Sequence, residues 1–148
     1  MAAITKLSEL GGKVCMDSRA DELVIVRKAD GTLKAGHCAD ISGSTAVGST
    51  SAGDLDEFGG FCLPRYDTDV DTAFASGVLI EIVIPQGGHL YNVYIADPGA
   101  TVYAGEPYTH AGTAGNLTAG TDVEAEHVAR LFDDALDNSR FATMIWGA

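Results

Sequence analysis

Two short runs of branched and aromatic residues, Val78 to Ile84 and Leu90 to Ile95, constrain this chain more than any other stretch. Each is closed by a turn sequence, Pro85-Gln86-Gly87-Gly88 after the first and Pro98-Gly99 after the second. Cβ-branched and aromatic side chains fit a pleated surface, and proline with glycine stops a strand abruptly. The two runs predict strands at the centre of a β-sheet.

The same pattern recurs along the chain. Leu23-Val24-Ile25-Val26 ends at Ala29-Asp30-Gly31, which predicts a hairpin into Thr32-Leu33 and then His37-Cys38-Ala39-Asp40-Ile41. Residues 42–53 are small and polar around Val47 and read as a loop or a short edge strand. Phe61-Cys62-Leu63 reads as a strand stopped by Pro64, Ala73-Phe74-Ala75 as a single helical turn before Gly77, and Thr101-Val102-Tyr103, Tyr108-Thr109 and Phe141 to Trp146 as further strands. The fold class expected is mostly β, a small single-domain barrel or sandwich over residues 21–148 with little helix. Residues 1–20 lack sustained periodicity and contain Gly11-Gly12, which predicts an extended N-terminal arm.

One segment runs against this reading. Val128, Leu131, Phe132, Ala135 and Leu136 follow helical spacing, with Asp122, Glu124 and Glu126 at the end where a helix dipole favours anions. Periodicity alone predicts a helix there. An internal echo is also present: Thr32-Leu33-Lys34-Ala35-Gly36 followed by Gly43 matches Thr101-Val102-Tyr103-Ala104-Gly105 followed by Gly112. It is either two similar hairpins, each needing glycine at a tight turn, or coincidence.

A chain of 148 residues buries roughly 70% of its unfolded surface, which is enough for one core and too little for two ordinary domains. Its net charge of −12 argues against nucleic acid and against an anionic membrane surface, both of which select Lys and Arg. All four lysines, Lys6, Lys13, Lys28 and Lys34, lie near the N-terminus, and beyond them only Arg65, Arg130 and Arg140 are cationic. No apolar run approaches the roughly 18 residues of a membrane helix. Met1 to Lys6 shows no basic stretch followed by an apolar one, so no secretory signal is predicted. Cys15, Cys38 and Cys62 are odd in number and form no C-x-x-C pair, which predicts buried apolar thiols in a reducing compartment.

The chemistry-bearing residues do not converge on a site. Asp67-x-Asp69-x-Asp71 has the opening spacing of a calcium loop, but Thr72 stands where that loop needs glycine and Val78 where it needs a bidentate glutamate. His37, His89, His110 and His127 share no ligand spacing, and His37-Cys38, adjacent on a strand, point to opposite faces. No nucleophile elbow, phosphate loop or dinucleotide fingerprint is present. No catalytic, metal or cofactor-binding residue is expected, and no cofactor.

From Leu23 onward the order of motifs resembles the head decoration, or capsid cement, proteins of tailed bacteriophages. The resemblance rests on Gly31-Thr32-Leu33-Lys34-Ala35-Gly36-His37; on Tyr66 to Pro85 with its acidic turn, Ala73-Phe74-Ala75, Gly77 and apolar strand; on Tyr94-Ile95-Ala96 followed by Thr101 to Glu106; and on Ala135-Leu136-Asp137-Asn138-Ser139 before the last strand. It departs at Arg65-Tyr66, where the family tends to be acidic or apolar. The resemblance implies a small β fold and a strand near Val128 to Phe132. It also implies a non-enzymatic role as a virion structural protein, on the outer surface of the capsid with the major capsid protein as partner, and self-association as a trimer or dimer. It implies no small-molecule substrate. On that reading the more cationic arm grips the shell, with Ile4, Lys6 and Leu7 as contact residues. The alternative from another class is a cytoplasmic ligand-binding β-barrel using His37, His89 and the Asp67 to Asp71 turn.

Overall fold

The structure is a computed structural model that describes residues 22–48, 58–110, 115–119 and 129–147. Among these, all regular elements are strands: β1 Leu23–Ala29, β2 Cys38–Ser42, β3 Thr45–Gly48, β4 Phe58–Cys62, β5 Leu79–Ile84, β6 Leu90–Tyr94, β7 Pro107–His110, β8 Leu117–Ala119, β9 Ala129–Leu131 and β10 Phe141–Trp146. The mostly β class is as the residues predict, and β10 spans the run read from its branched and aromatic side chains. The predicted arm, with Ile4, Lys6 and Leu7, lies outside the described residues, as do Cys15 and His127.

The strands form a closed barrel ordered β1-β3-β2-β4-β5 and a second sheet ordered β6-β10-β9-β7-β8. The two repeat one another residue by residue. Lys28 pairs with Leu79 in the barrel as Tyr94 pairs with Phe141 in the sheet, and the register stays matched through Val24↔Val83 and Leu90↔Ile145. Cys62↔Ile82 corresponds to Leu131↔Met144, and Cys38↔Phe61 to Pro107↔Arg130. The parallel pairing of Ala29 with Ala46, which closes the barrel, reappears as the parallel bridge between Ile95 and Leu117. The echo seen in the sequence marks the best-preserved part of this repeat. Gly36 and Gly105 both take positive φ, at 83° and 94°, in turns closed by His37 N–H donating to Lys34 O (3.1 Å) and Glu106 N–H to Tyr103 O (3.2 Å).

At one place the repeats differ. In the barrel, Lys28 N–H donates to Ser44 O across the β1–β3 seam (2.8 Å). The equivalent amide, Tyr94 N–H, donates instead to Gly36 O of the first unit (2.9 Å), and Gly115 O, the counterpart of Ser44 O, accepts from Cys38 N–H (2.9 Å). The segment Gly36 to Cys38 is thus interposed at the seam of the second sheet. The barrel closes through its own hydrogen bonds, whereas the second sheet's seam combines one of its own, Ala96 N–H to Leu117 O (2.8 Å), with borrowed ones.

Several expectations are corrected. β1 does not form a hairpin with the Thr32 to Ile41 segment; it pairs antiparallel with β5 and parallel with β3, because barrel closure brings those more distant strands to its two hydrogen-bonding edges. β5 and β6 are not joint centres of one sheet but lie in two, where β6 is the counterpart of β1 and β5 that of β10. β3, read as loop or edge, lies between β1 and β2 inside the barrel, where small side chains such as buried Ala46 pack tightly. Ala73-Phe74-Ala75 is not helical: Phe74 is buried and its N–H donates to Leu33 O (2.8 Å), so tertiary burial overrides local propensity. Val102 makes only an isolated bridge to Ala135. Among the described residues of the stretch with helical spacing, Ala129–Leu131 is a strand with Leu131 buried and Phe132 exposed, the strand that the family resemblance implies. One buried cluster spans both units, from Leu33, Phe61 and Ile82 to Tyr91, Tyr108 and Met144.

Candidate functional site

The most distinctive geometry lies where the barrel meets the second sheet. The Ala35-Gly36 turn brings the backbone of Gly36 onto the Phe141 ring, where an added Cβ would lie 3.1 Å from Cε1. On the other flank Gly115, φ +82°, approaches His37 so closely that a Cβ would lie 2.5 Å from Nδ1. Both glycines are required by close approach as well as by backbone conformation. The His37 ring stands edge-on to Tyr94, centroids 4.5 Å apart, and Tyr94 in turn meets Phe141 at 5.2 Å.

His37 Nδ1 accepts the Lys34 N–H (3.2 Å), which places the proton of the neutral ring on Nε2, a buried atom with no hydrogen-bond partner among the described residues. Burial, and secondarily the Lys34 charge, lower its pKa from 6.5 to about 4. His37 is therefore a neutral packing group at pH 7.

A second set of ties binds the start of β1 to β6. Glu22 Oε1 lies 2.6 Å from His89 Nδ1, Tyr91 Oη donates to Glu22 Oε2 (3.0 Å), and Tyr91 Oη accepts from Gln86 N–H (2.9 Å). Beside it Phe61 of the barrel packs on Tyr91 and, edge-on, on Trp146 (5.4 Å). Carboxylate, imidazole and phenol bind one another, and among the described residues no nucleophile belongs to the cluster. Cys38 and Cys62 are free thiols buried in the core, and burial pushes both pKa values up, which disfavours the reactive thiolate.

The structure thus brings His37 and His89 to the same junction but gives them different partners. The aspartates of the calcium-like spacing do not converge. Both carboxylate oxygens of Asp67 accept from Arg65 (2.8 Å each), and these hydrogen bonds, with the guanidinium charge, lower its pKa to about 2. Asp69 Oδ1 instead accepts the Val70 N–H (3.0 Å). Arg65 also donates to Leu79 O, so the departure from the family pattern at Arg65-Tyr66 forms a braced loop with Tyr66 fully exposed. Sequence reasoning missed Glu22, Phe141 and Gly115. The echo could have led to Phe141, had the repeat been followed outward from the two Ala-Gly turns. Unequal loops hide it: Leu63 to Val78 in the first unit corresponds to Phe132 to Arg140 in the second.

No protein-family model matches the sequence, and no curated protein sequence matches it. In fold the chain is similar to the N base of the head fiber gp8.5 of bacteriophage phi29, with a TM-score of 0.56 and 12% identity over 85% of this chain and 94% of that one. That similarity spans nearly the whole of the solved base.

Proposed function

We propose that this protein is a structural component of a phage head that attaches to the outer surface of the assembled shell through the major capsid protein and reinforces it. The observation that carries the reading is the shared fold with a head-fiber base over 85% of this chain and 94% of that one. The junction chemistry agrees with it, because Glu22, His89 and Tyr91 tie the two units together.

Packed DNA pushes a shell outward, and a protein bound to neighbouring capsid subunits must lose its contacts before they separate. Self-association, as a trimer or a dimer, multiplies modest contacts into avidity. The N-terminal arm, with Ile4, Lys6 and Leu7, contacts a capsid subunit by adding an extended segment to it. The similarity to a fiber base favours one second reading, an attachment platform that occupies the head without strengthening it.

The test is incubation of purified protein with undecorated heads, followed by sedimentation and a heat or chelator challenge. Co-sedimentation with protection is expected. Co-sedimentation without protection supports the platform reading, and absence of binding overturns both. Deleting residues 2–16 is expected to lower occupancy without altering the β fold; unchanged occupancy removes the arm from the mechanism.

A further inference from the structure

Among the described residues, the repeat uses one kind of contact within the chain and makes no such contact at its two equivalents. Inside the molecule, the Ala35-Gly36-His37 turn of the first unit docks on the Tyr94/Phe141 pair of the second: Gly36 against Phe141, His37 against Tyr94. By the matched registers, the second unit's turn is Ala104-Gly105-Glu106, and the first unit's pair is Lys28/Leu79. Both are exposed, although their backbone is braced from within the chain: Arg130 donates to Gly105 O (2.9 Å), Ala104 N–H to Asp134 Oδ1 (2.7 Å) and Arg65 to Leu79 O. Residues 103–106 are all exposed, a Cβ at Gly105 would meet nothing within 4 Å, and Leu79 is 55% exposed, with Val26 and Val24 exposed farther along β1.

The residues at these unused ends are complementary. Where the internal contact sets glycine on a large ring, the unused one would set Gly105 on Leu79. Where it sets His37 on Tyr94, the unused one would set Glu106 on Lys28, an opposite-charge pair. We propose that the Tyr103–Glu106 turn of one chain docks on the Lys28/Leu79 end of β1 and β5 of a second copy, a head-to-tail contact that repeats the internal junction between molecules.

The two joints differ in depth. Pro107 occupies the place of Cys38 and has no N–H to donate, and Lys28 N–H is already committed to Ser44 O. The second turn therefore rests on the face through side chains instead of inserting into the seam. A heterologous contact of this kind closes into a ring when its rotation permits. The inference sharpens the self-association within the proposed function but does not depend on capsid binding, since it is read on purified protein alone.

The experiment is sedimentation equilibrium of the full chain and of exposed-site variants whose folding is checked by circular dichroism. Wild type is expected to form one assembly larger than a monomer. K28E and E106K are each expected to weaken it by at least about tenfold, and the K28E/E106K double variant to restore it. Leu79→Asp keeps a working turn and E106K a working face, so mixing the two is expected to give a one-to-one dimer. A monomeric wild type, no effect of the single reversals, or no dimer in the mixture overturns the head-to-tail contact. Head co-sedimentation by a monomeric wild type would overturn it while leaving the proposed function intact.

Discussion

Gly60 has φ +145° beside the irregularity between β2 and β4, and an added Cβ would lie 2.0 Å from Val83 O. No side-chain movement relieves a clash with backbone, so Gly60→Ala is expected to cost about 3–5 kcal/mol, read as a lowered urea midpoint. His37 makes a pH-dependent contribution. Its folded pKa of about 4 lies below the ordinary 6.5, so between those values the unfolded chain binds the extra proton. The contribution is complete above pH 6.5, is lost as pH falls toward 4, and changes no further below that. It amounts to about 3 kcal/mol, and urea titrations across that window should lose the corresponding slope in His37→Gln. The Asp67 pair with Arg65 acts in a lower window, its contribution disappearing as pH falls through about 2.

Among the elements, β1 and β6 hold equivalent places in the two units and are tied together by Glu22, His89 and Tyr91. Tyr91→Phe removes a hydrogen bond to the Glu22 carboxylate and an acceptor for Gln86 N–H. It is expected to cost about 1–3 kcal/mol by denaturant unfolding, with the Glu22→Gln change no longer additive to it in a double-mutant cycle. β9 shows how far local pattern reaches. Leu131 and Ala135 were legible as buried positions, but a stripe that fits helical spacing also fits a strand followed by a bridge, and only pairing with β7 and β10 selects the strand.

For the whole molecule, the shared core and the interposed Gly36 to Cys38 segment predict that barrel and second sheet unfold together. Trp146, in the second sheet and packed on Phe61 of the barrel, reports on the junction. Its fluorescence transition is expected to coincide with the far-UV circular dichroism transition; an earlier fluorescence change would mean that the junction opens while both sheets persist. At this scale the repeat also accounts for the proposed self-association, because a chain carrying one satisfied and one unsatisfied copy of the same contact is suited to build a ring.

Local sequence supplied the material of the fold: strands cut to length by proline and glycine, buried thiols at Cys38 and Cys62, and two Ala-Gly turns of the same design. These follow from local sterics and side-chain polarity, which act within a few residues. Tertiary structure decided which strands pair and which side chains meet at the junction of the two units. β1 meets β5 across a long intervening stretch of chain, and Gly36 completes a sheet begun by Tyr94, because hydrogen-bond seams and apolar faces find partners by proximity in space. The same reason leaves Lys28 and Leu79 exposed in one unit and Glu106 exposed in the other, a complementarity visible only once the two registers are laid over one another.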